Sequence, residues 1–166
     1  SKFIHNQWPI LSREHRWNRS TTPLCSLCSK NNELHDHVFC CDKTHVKTNR
    51  MKQLEELDST FRQHDTFPML RRHLMNIIRK YTSGYIVQPI AIQDNHPDTA
   101  CLQAINIQIS LSPQNLLRGL LSTAIVDIQQ QYISVYRPRT NNVIHWGTKM
   151  TKALHTFSTS LWKYRC

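Results

Sequence analysis

Glycine is nearly missing from this chain, and its scarcity removes a class of functions at once. Three glycines in 166 residues cannot build the glycine-rich loop that lays backbone N–H groups against a nucleotide's phosphates. There is no Asp-Asp pair of the polymerase type, no G-x-S-x-G and no H-E-x-x-H. The residues at hand therefore lack the usual nucleotidyl-transfer, serine-hydrolase and metalloprotease signatures. No stretch approaches the ~20 apolar residues that a membrane span requires. No apolar signal region opens the chain, so the setting expected from sequence is intracellular, and six cysteines are not read as a secreted disulfide framework. Acidic residues are also few, 11 against 21 Lys and Arg, for a formal charge of +10.

What is present is a cluster of soft ligands. The run PLCSLCSKNNELHDHVFCCD, residues 23–42, holds Cys25 and Cys28 as a C-x2-C knuckle, followed by His35, His37, Cys40 and Cys41. A knuckle of this kind brings two thiolates within tetrahedral reach of one Zn²⁺. The second pair is chosen by helical spacing. Residues 32–41 contain no Gly or Pro, and Leu34 and Val38 are four apart, which predicts a short helix. Residues four apart share a helix face, whereas residues five apart diverge. This favours His37 with Cys41 over the competing pair, His35 with Cys40. The site is then C-x2-C-x8-H-x3-C, holding one structural zinc through Cys25, Cys28, His37 and Cys41. Asp36 would orient the His37 imidazole or serve as a first-turn helix acid.

The charge is uneven. Residues 1–52 carry nine Lys and Arg against four acids, residues 53–100 five against six, and residues 101–166 seven against one. Arg13, Arg16 and Arg19 lie among Trp8 and Trp17, and Lys43, Lys47 and Arg50 follow the ligand cluster. Cations interleaved with aromatics suit single-stranded nucleic acid, RNA or DNA, bound by phosphate contact and base stacking. Those six cations are the expected nucleic-acid contacts. An ordinary solvated basic surface is the plainer alternative.

The remaining pattern is helical. Leu54, Leu57 and Phe61 make one face of a helix over 45–63. Asp65 or Thr66 is expected to cap the next helix, whose stripe is Leu70, Leu74, Ile77, Ile78 and Tyr81 and which Gly84 ends. Pro89 and Pro97, with Asp94 and Asn95, mark a linker. Residues 101–111 carry both signals: Ile105, Ile107, Ile109 and Leu111 alternate like a strand, while Leu102, Ile105 and Ile109 fit a helix, the reading preferred here. Ser112-Pro113 opens a short helix closed by Gly119. Ser122 caps another running to Tyr136, with Ile125, Ile128, Tyr132 and Val135 inward, and Pro138 breaks it. A last helix over 142–164 presents Trp146, Met150, Leu154, Phe157, Leu161 and Trp162. The expected fold is mostly α, a small CCHC zinc module followed by an irregular helical bundle. Its segments are a basic arm over 1–22, the zinc module over 23–48, a helical hairpin over 49–84, a linker over 85–99 and a C-terminal helical region over 100–166. A chain that begins at Ser1 without Met and stops at Cys166 in mid-pattern is expected to be a piece of a longer polypeptide.

These residues carry a resemblance. Cys25-Ser26-Leu27-Cys28, then Glu33, then Asp36-His37-Val38-Phe39-Cys40-Cys41, then Thr66-Phe67-Pro68-Met69-Leu70 resemble the region downstream of the polymerase core in non-LTR-type retroelement reverse transcriptases. The similarity continues through Leu116-Leu117-Arg118-Gly119, Gly147-Thr148 and Leu161-Trp162-Lys163-Tyr164-Arg165. It implies zinc ligands at His37 and Cys41 with Cys40 a bystander, a nuclear setting, and element RNA or target DNA as partner. It also implies that the catalytic aspartates lie in another part of the parent polymerase, so this chain is expected to have no catalysis of its own. A second expectation, from a different class, is a zinc-braced interaction module whose 142–164 stripe docks on the polymerase core or another copy.

Overall fold

The computed structural model describes residues 10–18, 20–93, 98–136 and 143–165, without the side chains of Leu11, Arg13, His35 and Arg165. Eight helices follow in order among these residues: α1 (Leu11–Arg16), α2 (His35–Cys40), α3 (Thr44–Gln63), α4 (Pro68–Thr82), α5 (Thr99–Ser110), α6 (Pro113–Leu117), α7 (Thr123–Tyr136) and α8 (Val143–Arg165). The described residues hold no strand; one isolated antiparallel bridge joins Leu24 and Asn32. The fold is mostly α, as the composition and periodicity predict. Trp8, Arg19, the 94–97 stretch with Pro97, Pro138 and Cys166 lie outside the described residues.

The last helix is the wall on which the others are laid. Trp146, Met150, Leu154, Phe157 and Leu161 recur every three or four residues along α8 and are all buried, the spacing of a single helical face. Trp162 sits half-buried at the margin of the same core. α3 packs lengthwise on α8, and α2, α6 and α7 also meet it, while α4 lies between α3, α2 and α5. One apolar core joins Ile10, Val38 and Phe39 of the N-terminal part to the helices on both sides of residues 85–93. That linker segment is itself partly built in, with Val87 and Ile90 packed against the core.

The helix–strand ambiguity over 101–111 resolves as helix. Leu102, Ile105 and Ile109 are buried, whereas Ile107 and Leu111 are exposed, a split that an alternating strand, with Ile105, Ile107, Ile109 and Leu111 on one face, would not give. Two other expectations need correction. Val135 is 69% exposed, not inward; the buried line of α7 is Ile125, Gln129 and Ile133, because Gln129 has a polar task that an apolar count overlooks. Neither Asp65 nor Thr66 caps α4. Phe67 is its N-cap and makes no side-chain cap bond, while the Thr66 hydroxyl is drawn away to accept the Trp146 indole N–H at 2.9 Å. Leaving a buried indole N–H unmet costs more than a missing exposed cap.

Three side-chain amides pin the connections, each binding backbone with both its ends. Gln129 accepts from Phe67 N–H at 2.9 Å and donates to Asp65 O at 3.0 Å, holding the α3–α4 turn. Gln108 accepts from Ser122 N–H at 2.8 Å and donates to Leu120 O at 3.0 Å, holding the α6–α7 turn. Asn106 bonds both the N–H and the carbonyl of Ile90, at 2.8 and 2.9 Å. The α6–α7 turn also needs Gly119, whose φ is +83°, and where a Cβ would meet Thr151 Cγ2 at 2.8 Å. Thr151 donates its hydroxyl to Gly119 O across this close approach.

Replacing Gln129 with Leu keeps the volume but leaves Phe67 N–H and Asp65 O without their partner. We expect a loss of about 2–6 kcal/mol in urea unfolding, at about 1–3 kcal/mol for each stranded group. A change within about 0.5 kcal/mol would show that the turn does not depend on the amide.

Candidate metal centre

The ligand cluster is assembled by two short devices. The first is a hairpin over residues 23–33: Cys25 N–H donates to Asn31 O, Ser29 N–H to Cys25 O and Glu33 N–H to Pro23 O, each at 2.8 Å. Ser29 takes the left-handed conformation, φ 54°, to complete the turn. The second device is α2, whose last turn is closed by Cys41 N–H donating to His37 O at 2.9 Å. That bond is the i to i+4 relation, so His37 and Cys41 come to the same face. Cys41 then leaves the helix at φ −51°, ψ 130°.

The result is one cluster. A ligand atom from each of Cys25, Cys28, His37 and Cys41 lies within 4.8 Å of every other, and Cys28 Sγ stands 3.3 Å from His37 Nε2. A tetrahedral zinc with S and N ligands at ~2.3 and ~2.0 Å would separate them by roughly 3.5–3.8 Å. The donor set fits: four ligands can hold one metal ion with modest tightening, and three thiols and one imidazole are the soft donors that zinc takes. The cysteines are all buried, His37 half-buried, and none of the described cysteines is in a disulfide.

Electrostatics explain why such a cluster calls for a cation. Burial pushes the Cys41 thiol up to about 12, with Cys25 and Cys28 beside it adding to the rise. Burial also raises Cys25, against backbone N–H groups of Cys28 and Leu27. For Cys28, burial is outweighed by N–H groups from Lys30 and Asn31 and by its thiol neighbours, and the thiol falls below its usual value. His37 is lowered by burial, opposed in part by Glu33 and Asp42, so the neutral imidazole that a metal needs is the favoured form. A metal ion relieves the mutual repulsion of three thiolates, and its affinity falls as protons compete for them.

Of the competing ligand pair, Cys40 is half-buried and lies outside the cluster; its Cβ faces Gly84, where an added Cβ would be 3.7 Å away. The side chain of His35 is not among the described ones. Asp36 does not reach His37. It accepts hydrogen bonds from the Tyr81 hydroxyl and Gln114 Nε2, which tie α2 to α4 and α6.

Arg50 needs a further correction. Sequence placed it with the phosphate-binding cations, but it is 6% exposed. Its Nη1 donates to Phe39 O at 2.8 Å and to Cys41 O at 3.1 Å, gathering the carbonyls at the end of α2. The reason is local: a six-residue helix leaves its last carbonyls unmet, and a buried guanidinium from α3 supplies the donors. Its four-residue offset from Val46, another buried residue of α3, was the available signal. Arg16, Lys43 and Lys47 are exposed. α1, which carries Arg13 and Arg16, is tied to the cluster by Ser12 Oγ donating to Glu33 O at 2.7 Å.

No protein-family model, curated protein or solved structure matches the chain.

Zinc content of the purified protein checks the ligand choice. His37→Ala is expected to abolish stoichiometric zinc, while His35→Ala and Cys40→Ser retain it; the opposite pattern would assign the site to His35 and Cys40. Arg50→Leu should keep the four ligands yet destabilise the protein by about 3 kcal/mol or more in urea unfolding, since two buried carbonyls lose a charged donor.

Proposed function

We propose that this chain is the zinc-stabilised, non-catalytic nucleic-acid-binding region of a retroelement reverse transcriptase, contacting element RNA or target DNA in the nucleus. The four-ligand cluster supports it first. Four protein donors close a tetrahedral shell, so a zinc held there would cross-link the hairpin to α2 and leave no position for an activated water. The motif residues that suggested the family are put to related uses: Cys25, Cys28, His37 and Cys41 in the cluster, Asp36 in the bond that fixes α2 to α4.

The observation that carries the nucleic-acid reading is the start of α3, directly after Cys41. Its first turn holds no acid, and Lys43 and Lys47 are exposed there, with Asp42 the acid just before them. Cations at the positive end of a 20-residue helix are opposed by its dipole, at about 0.3–1 kcal/mol each. The same placement concentrates positive potential beside the metal centre, where an anionic backbone gains from both the charges and the helix end. The docking-module reading stands second: the aromatic stripe it needs, Trp146 to Leu161, is buried in the chain's own core.

Changing Arg16, Arg19 and Lys47 together to Gln is expected to weaken binding of every single-stranded oligonucleotide alike and to flatten the salt dependence by about two units, at roughly 0.7 per lost phosphate contact. Zinc chelation should weaken binding as well. Wild-type affinity that is undetectable at low salt, or indifferent to salt, would remove the nucleic-acid reading.

A further inference from the structure

The middle of the chain looks electrically neutral in sequence, five cations against six acids over 53–100, and folding undoes that balance. Glu55, Glu56 and Asp58 belong to α3. The cations Arg71, Arg72, Arg79 and Lys80 belong to α4, which contains no acidic residue at all. Asp58 is already met by Arg62 at 2.9 Å and Arg71 at 3.6 Å. Arg72, Arg79 and Lys80 are exposed, and among the described residues no ion pair engages them; the pairs found are Lys52–Glu56 and the two on Asp58.

The arginines border a groove of about 590 Å³. Met69, Arg72, Met75 and Arg79 line it at helical spacing, with Phe67 at one end. Arg72 and Arg79 are seven residues apart, or about 10 Å along the helix axis. A second groove, of about 260 Å³, shares Phe67 and Asp98 with the first and continues over α7. Here the rings form a ladder: Phe67 to Tyr132 at 5.1 Å between centroids, and Tyr132 to Tyr136 at 5.2 Å. Tyr136 is 68% exposed, as is its neighbour Val135 at 69%. The core has no use for that aromatic ring. Arg137 and Arg139 follow Tyr136 in sequence.

We infer that the joined grooves of α4 and α7 form a second nucleic-acid-binding face, where Arg72 and Arg79 meet the phosphates of a single strand and Tyr136 stacks on a base. The inference rests on the nucleic-acid reading above and adds a site distant in sequence from the metal centre. A track of guanidinium groups leading to an open aromatic ring is the combination that unpaired strands require: charge follows the backbone, and a ring accepts any base. Duplex DNA would present phosphates to the arginines and no free base to the tyrosine, so the face favours single strands. Asp98 lines both grooves where they join, and Asp58, met by Arg62 and Arg71, also lines the first.

The test uses the full chain with zinc, fluorescein-labelled oligo-deoxythymidine, and an abasic oligomer of equal length and charge. Arg72→Gln with Arg79→Gln should weaken oligo-deoxythymidine binding about tenfold or more and flatten the salt dependence by about 1.4 units, at roughly 0.7 per phosphate. Tyr136→Ala should weaken it about tenfold, near the lower range for one lost stack, with the salt dependence unchanged. On the abasic oligomer the tyrosine variant should bind like wild type. Both changes are on exposed side chains, and unchanged thermal melts and zinc content confirm that the fold is intact. Wild-type binding that neither variant reduces would overturn this face while leaving the nucleic-acid reading standing; no wild-type binding at all would overturn both. An arginine effect without any tyrosine effect would make the face a general polyanion surface and overturn the single-strand assignment.

Discussion

The rest of the structure depends on burial of one stripe of α8. Trp146, Met150, Leu154, Phe157 and Leu161 together contribute on the order of 10 kcal/mol of hydrophobic stabilisation, at about 1.5–3 kcal/mol per large side chain. α3, α2, α6 and α7 each take part of that stripe as their own wall. The segment farthest along the chain thus meets α2 of the metal-bearing segment near its start, while the ligand cysteines form with Val46 a small cluster of their own beside that core. Polar groups follow the same logic: the Trp146 indole selects Thr66 as its acceptor, and the Ser158 hydroxyl donates to Leu117 O at 2.8 Å, fixing α6 on α8.

α2 shows how a helix too short to be stable alone is put to two uses. Val38 and Phe39 enter the main core, while His37 and Cys41 turn to the ligand cluster. Its orientation is set from outside by Arg50 at one end and by Asp36 bonded to Tyr81 and Gln114 at the other. The geometry at the thiols is therefore as much a product of α3, α4 and α6 as of the ligand spacing. A change at Tyr81 or Arg50 acts on the metal centre without touching a ligand.

Helix positions were legible in the sequence wherever apolar residues recurred at three and four. The C-x2-C knuckle with a histidine and cysteine four apart is enough to locate the cluster, because both devices are local. What escaped was long-range and polar. Gln129 and Gln108 are polar at buried positions, so a hydrophobic stripe passes over them, and their partners lie 62 and 14 residues away. Arg50 was read as a surface cation because charge alone does not reveal which carbonyls a guanidinium will meet. The neutral count over 53–100 hid an arginine-bearing helix, since summing along the chain mixes faces that folding separates.

The three amide clamps bear on how the molecule opens. Connections between helices are ordinarily where backbone hydrogens exchange first, and each helix pair can then loosen alone. Here the N–H groups of Phe67, Ile90 and Ser122 are held by side chains from other helices. Their exchange with solvent requires α7 to leave α4, or α5 to leave its neighbours, and such separations break the shared core. The turns are thereby coupled to global unfolding, and a small helical protein with few glycines gains cooperativity at its joints, where other helical folds are loosest.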